Sequence, residues 1–327
     1  MGSGAGTSGR LRVEYRRYCR PFRQVLKTRH GEWRDRTGII LQLEDESGRV
    51  GLGEIAPIAW FGSETLEQAH RFCHHLPDAI TPETIFSIPA ALSACQFGFE
   101  SAWEMLTQER NGVREQPVSA VPELPSSALL SAGEPALYQW LMLWQQGYRT
   151  FKWKIGVASL QDELQVFDQL RVALPSTARL RLDANGGLTM TEAQRWLDRC
   201  DRTCVVEYLE QPLPPDQFEA IQHLAATHST PIALDESVAT VPHLQACYDN
   251  GWRGIFVIKP AIAGSPSRLR QFCQHHAIDA VFSSVFETTI GRLAGLRLAN
   301  ELGNPNRATG YGTTHWFVEG DPENIAQ

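Results

Sequence analysis

Five charged residues each close a short apolar run, and their spacing constrains the fold more than any other feature of the chain. Lys154, Asp183, Glu210, Asp235 and Lys259 follow one another at steps of 29, 27, 25 and 24 residues. Each step is the length of one strand, one helix and their turns, which implies consecutive βα units around a parallel sheet. The runs are Ser127 to Leu130, Thr150 to Ile155, Arg179 to Asp183, Val205 to Glu210, Pro231 to Asp235, Gly254 to Lys259 and Ile278 to Ser284, with Arg307 to Tyr311 as a candidate eighth. Amphipathic stretches separate them, and Thr189 with Glu192 three residues on reads as a helix-capping box. No Gly-rich dinucleotide fingerprint follows any run, Gly186-Gly187 being a weak imitation, so an α/β fold with a TIM-type (β/α) barrel of seven or eight strands is expected rather than a doubly wound sheet.

In such a barrel the C-terminal strand ends converge on one face, so the five charged side chains should meet there. Three carboxylates brought together in a partly buried mouth repel unless a cation neutralises them. A single Asp or Glu after a strand serves equally well as a helix cap, but three on consecutive strands between lysines point to a shared ion. An all-oxygen ligand set favours Mg²⁺, with Mn²⁺ able to substitute, over Zn²⁺. Strand alternation places Lys152 on the same face as Lys154, with Trp153 turned outward, and points Arg181 inward with Asp183. Two lysines flanking a metal suit acid–base work on opposite faces of a bound substrate.

The N-terminal part differs in character. Leu11 to Tyr18, Thr37 to Glu44 and Arg49 to Glu54 read as an antiparallel meander, and helical patterns follow at Ser63 to Leu76 and Pro89 to Gln108. A Pro- and Ser-containing run from Asn111 to Pro125 suggests the boundary, giving a flexible leader over 1–9, an α+β capping domain over 10–115 and the barrel over 116–327. The polar, arginine-rich and aromatic segment 20–36 reads as a lid loop, with Phe22, Trp33 and its arginines as candidates to meet a substrate tail. His315-Trp316 is open to two readings, a terminal clamp or plain packing.

Composition narrows the function class. A net charge of -7 without a long basic run argues against nucleic-acid and membrane-surface binding, and favours small-molecule chemistry. Seven scattered cysteines without a C-x-x-C argue against a disulfide framework or zinc site and fit a cytoplasmic protein. No apolar stretch is long enough to span a bilayer, and the sequence leaves oligomeric state open.

The K-x-K at Lys152 to Lys154, L-D-A-N at Leu182 to Asn185, L-E-Q-P at Leu209 to Pro212, D-E-S at Asp235 to Ser237 and V-I-K-P at Val257 to Pro260 resemble the muconate-lactonising subgroup of the enolase superfamily. The resemblance extends to Gly51-Leu-Gly-Glu54-Ile-Ala-Pro57, which is similar to that subgroup's capping-domain motif. It implies Asp183, Glu210 and Asp235 as metal ligands, Asn185 and Glu236 in support, Lys154 as the base, Lys259 as stabiliser of an enediolate and Arg181 beside the lysine pair. Within the subgroup, Ile258 to Ser265, including Gly264 and Ser265, and Ser283 to Glu287, including Ser284, resemble the o-succinylbenzoate synthases of menaquinone and phylloquinone synthesis. N-acylamino acid racemases share nearly the whole catalytic set and are the alternative. Dipeptide epimerases are a weaker match, since no aspartate-rich motif lies near Ser284 or Gly310. A non-catalytic homologue would have lost a ligand or a lysine, and all five are present.

Overall fold

The computed structural model describes residues 9–28, 31–110 and 124–317. Most of the expected leader, and the boundary run except Leu124 and Pro125, lie outside the described residues. The N-terminal part is an antiparallel sheet of β1 (Leu11–Thr28), β2 (Gly31–Asp45), β3 (Val50–Ile55) and the short β4 (Ala79–Ile80), in the order β3-β2-β1-β4. Against it lie α1 (Leu66–His74), α2 (Pro82–Phe86) and the long α3 (Ser93–Arg110). Eight parallel strands follow: β5 (Ser126–Leu130), β6 (Thr150–Lys154), β7 (Arg179–Asp183), β8 (Val206–Glu210), β9 (Ile232–Leu234), β10 (Ile255–Ile258), β11 (Asp279–Phe282) and β12 (Thr309–Gly312). Their order is β11-β10-β9-β8-β7-β6-β5-β12, and a single bridge from Ser283 to Gly310 brings the two edges together into a nearly closed barrel.

The helices outside the barrel are α4 (Ala136–Gln145), α5 (Leu160–Ala173), α6 (Met190–Cys200), α7 (Phe218–Thr227), α8 (Val241–Asp249), α9 (Pro260–Ala263), α10 (Pro266–His275) and α11 (Thr289–Leu302). Thr189 and Glu192 form the reciprocal cap of α6. Trp153 is fully buried and meets Trp196 of α6 edge-on, which is the outward direction that alternation along β6 requires.

The expected lid loop is instead a continuation of the β1–β2 hairpin. Pairing runs through Arg20↔Arg36 and Pro21↔Asp35, then resumes at Leu26↔Trp33 after an irregularity. Pro21 lacks an N–H for the ladder, and the resulting bulge hides the strand alternation from a sequence reading. The arm is held by packing: Phe22, Leu26, Leu129, Trp316 and Phe317 form a separate buried cluster, and Phe22 bridges to Phe317. Trp316 therefore packs the end of the described chain onto the hairpin.

The Gly51 to Pro57 motif joins the two parts of the protein. A Cβ on Gly53 would lie 2.0 Å from the Gly98 carbonyl oxygen, and one on Gly51 equally close to that of Ala102, so α3 can lie against β3 only because both positions lack side chains. Glu54 crosses to the barrel, where its carboxylate accepts from Thr288 N and Gly291 N, each at 2.9 Å, at the start of α11. The Tyr18 and Thr288 hydroxyls also donate to it, each at 2.5 Å. Removing so many charge-assisted bonds from a fully buried group leaves helix N–H groups unpaired. Glu54→Ala is expected to cost about 3 kcal/mol of stability, read as a lowered urea midpoint. An unchanged midpoint would remove Glu54 from this role.

Candidate active site

The strand ends place the charged residues as their spacing demands. Lys154, Asp183 and Glu210 are the last residues of β6, β7 and β8, while Asp235 and Lys259 stand immediately after β9 and β10. One carboxylate oxygen from each of Asp183, Glu210 and Asp235 falls within a 4.8 Å cluster, and all three side chains are buried. The lysines on β6 and β10 flank this row from opposite sides, since β7, β8 and β9 lie between those strands.

Each acid has an ammonium partner. Lys152 Nζ lies 2.7 Å from Glu210 and 2.8 Å from Asp183, Lys154 Nζ is 2.6 Å from Asp183, and Lys259 pairs with Asp235. The Glu210 carboxyl is pushed up to about 7 by burial and by repulsion from Asp183. Asp235 and Glu236 are also raised, chiefly by burial. Asp183 behaves oppositely: burial alone would raise it, but Lys152 and Lys154 outweigh that and hold it well below the usual carboxylate range.

Asn185 and Gln211 brace the row. Asn185 has φ 45°, its N–H donates to Asp183 at 3.0 Å, its side-chain oxygen accepts from Lys154 at 2.7 Å, and its amide donates to Glu236 at 3.0 Å. Gln211, with φ 39°, accepts from the Asp235 and Ser237 N–H groups at 2.9 and 3.1 Å and donates to the Ser237 hydroxyl at 2.7 Å. A lone Gln after a strand carries no sequence signal for such a bracket, although its place directly after Glu210 offered a hint. Glu210 Oε2 and Glu236 Oε2 are buried without a hydrogen-bond partner. Unpaired carboxylate oxygens beside a compact all-oxygen donor set fit a hard divalent cation better than a purely structural ion-pair cluster.

Lys152, Lys154, Asn185, Asp235 and Lys259 line a partly open cavity. Leu26, Trp33, Trp60, Phe61, Leu129 and Phe286 supply apolar wall, and Ser127, Ser283, Ser284 and Thr313 supply hydroxyls. Ser284 is oriented by Glu287, which accepts from its hydroxyl at 3.0 Å and from Val285 N at 2.6 Å, so Glu287 stands behind the wall.

Four expectations are corrected by this geometry. Arg181 stands opposite Lys152 in the β6–β7 register, but its guanidinium turns away from the lysine pair and binds Glu207 at 2.7 Å and the Ala308 carbonyl at 2.7 Å. There it joins Arg307 and Asp279, through Glu207, in an ion network within the barrel. Gly264 and Ser265 do not line the cavity. Gly264, at φ 120°, turns the chain between α9 and α10, and Ser265 caps α10 and donates its N–H to Gln96 of α3 at 3.2 Å. Among the described arginines of segment 20–36 none lines the cavity, and Arg36 is spent on backbone carbonyls including Val285 at 2.9 Å and Pro57 at 3.0 Å. Phe22 stacks on Phe317, leaving Trp33 as the hairpin-arm aromatic of the expected pair that reaches the cavity.

Comparison with known proteins places this geometry in a lineage. Residues 138–323 match the family model described as enolase C-terminal domain-like, and residues 11–106 match that described as MenC, N-terminal domain. An o-succinylbenzoate synthase from Thermosynechococcus vestitus is 44% identical over 94% of both chains. The chain belongs to the o-succinylbenzoate synthase family of enolase-like proteins. A solved synthase of that family from Thermosynechococcus elongatus, described with magnesium in its active site, superposes with a TM-score of 0.85 at 44% identity over 94% of each chain. The L-Ala-D/L-Glu epimerase of Bacillus subtilis superposes with a TM-score of 0.76 at 21% identity, covering 95% of this chain and 91% of its own, and shares the fold.

Proposed function

We propose that this synthase-family chain dehydrates 2-succinyl-6-hydroxy-2,4-cyclohexadiene-1-carboxylate to 2-succinylbenzoate, as a Mg²⁺-dependent hydro-lyase serving menaquinone or phylloquinone synthesis in the cytoplasm. The observation that carries the reading is the pair of lysines on β6 and β10 facing one cavity across three carboxylates. Asp183, Glu210 and Asp235 would hold the cation, and Mn²⁺ would serve in its place. When bound, the ion supplies fixed positive charge against which a substrate carboxylate can become an enediolate.

Lys154 is assigned the proton transfers. It removes the proton next to the ring carboxylate and, in a syn elimination, returns one to the departing hydroxyl, so water leaves and the ring becomes aromatic. Asn185 and Asp183 position its Nζ, which takes the proton as the neutral amine and returns it as the ammonium. Lys259, tied to Asp235 on the far side, remains a fixed charge facing the enediolate. Lys152 bridges Asp183 and Glu210 beside the cavity. The apolar wall around Trp33 excludes water and holds the ring and succinyl chain. The division of labour between residues 10–115 as cap and 116–327 as barrel belongs to the same reading. Among the described residues no helix is long and apolar enough to cross a membrane.

The competing reading is an N-acylamino acid racemase, which would use the same two lysines to exchange a proton between faces. Comparing kcat/KM for the cyclohexadiene acid with that for N-succinyl and N-acetyl amino acids separates them. Dehydration is expected to exceed racemisation by at least about 10²-fold, a gap of ~2.7 kcal/mol in transition-state binding. The reverse ratio would make racemase the better name.

A further inference from the structure

The Lys259 ammonium has a second neighbour that comes from the capping domain. Its Nζ stands 4.1 Å from the centre of the Phe61 ring, with Asp235 as its ion-pair partner. Phe61 is 5% exposed and lines the same cavity. The turn that carries it is fixed: Ile58 N–H donates to the Ser63 hydroxyl at 2.7 Å, and Gly62 has φ 121° with room for a Cβ only 3.2 Å from Ala239. Phe61 meets Trp60 edge-on at 5.7 Å, and Trp60 meets Trp33 of the hairpin at 5.5 Å. A continuous aromatic path therefore runs from the hairpin arm to a lysine of the barrel.

We infer that Phe61 is a positioning residue, whose ring face holds the Lys259 ammonium over the reacting centre and makes the barrel's chemistry depend on a docked capping domain. A carboxylate alone fixes distance but leaves a flexible four-carbon stem free to swing about it. A ring packed against the same ammonium restricts that freedom, and a desolvated cation–π contact is strong enough to matter. The charge is then already in place when the enediolate forms, which is where fixed electrostatics contribute to rate.

The inference rests on the dehydratase reading, and the test separates the two. Mono-, di- and trifluorophenylalanine placed at position 61 keep the ring's shape while weakening its negative face. The log of kcat is expected to fall stepwise with fluorine content, by about 3- to 30-fold in total, with KM changed less than 2-fold. Phe61→Leu should fall as far, and Phe61→Tyr should keep most of the rate. A flat fluorine series, or a change confined to KM, would overturn the inference and leave Phe61 as wall. A second arm needs no substrate: the Lys259 ε-methylene protons should show an upfield ring-current shift in labelled protein that disappears in Phe61→Leu. Its absence in the parent would also overturn the inference. A parent that shows the shift but does not turn over the cyclohexadiene acid would refute the dehydratase reading while leaving the contact in place.

Discussion

Lys154→Ala is expected to abolish dehydration, with kcat/KM falling by at least about 10⁴-fold, because one side chain is asked both to take the carbon-bound proton and to give one to the leaving hydroxyl. The geometry supports a dedicated role: Nζ is fixed at 2.6 Å from Asp183 and 2.7 Å from Asn185 at the edge of the cavity. Lys259→Ala should also be severe, by about 10²- to 10³-fold, since a fixed charge facing the enediolate is lost. The two roles separate in deuterated buffer with a substrate analogue that can exchange its α-proton but cannot eliminate. Exchange should vanish in Lys154→Ala and persist weakly in Lys259→Ala. Retention in the first with loss in the second would reverse the assignment of the base.

The second large effect concerns the carboxylate row. Glu210→Gln should reduce turnover by at least about 10³-fold and weaken Mg²⁺ binding beyond calorimetric detection, since one of three anionic ligands becomes neutral. The fold should survive this change. Burial and the Asp183 charge already push the Glu210 carboxyl up, so a neutral glutamine relieves a repulsion rather than creating one. Asp183→Asn and Asp235→Asn should be equally inactive, but Asp183→Asn should lose more stability because it leaves two partly buried lysines with one fewer partner each. Wild-type Mg²⁺ affinity in Glu210→Gln would take that residue out of the ligand set.

The strand-end charges were legible in the sequence because a barrel converts a repeat length into a common location, and five residues at nearly constant spacing leave little freedom. The capping box at Thr189 was equally plain, being local chemistry. Alternation distinguishes inward from outward but not up from down. Lys152 and Arg181 are paired across adjacent strands, yet the lysine stem climbs to Glu210 while the guanidinium turns to Glu207. The hairpin arm was missed because Pro21 and the arginines break the period that marks a strand. Gly264 and Ser265 were misplaced for another reason: their partner Gln96 lies 169 residues away, in a helix whose docking on α9 no local pattern announces. The contacts of Phe61 with Lys259, and of Gln211 with Asp235 and Ser237, are made by tertiary structure, so no local pattern announced them.

The central claim is that a cation held by the strand-end carboxylates enables these lysines to dehydrate the cyclohexadiene acid. It is tested most directly by following formation of 2-succinylbenzoate with purified protein in excess chelator, then after addition of Mg²⁺. The account predicts no turnover above background in chelator and its recovery on adding Mg²⁺ or Mn²⁺. Full turnover in excess chelator would contradict it.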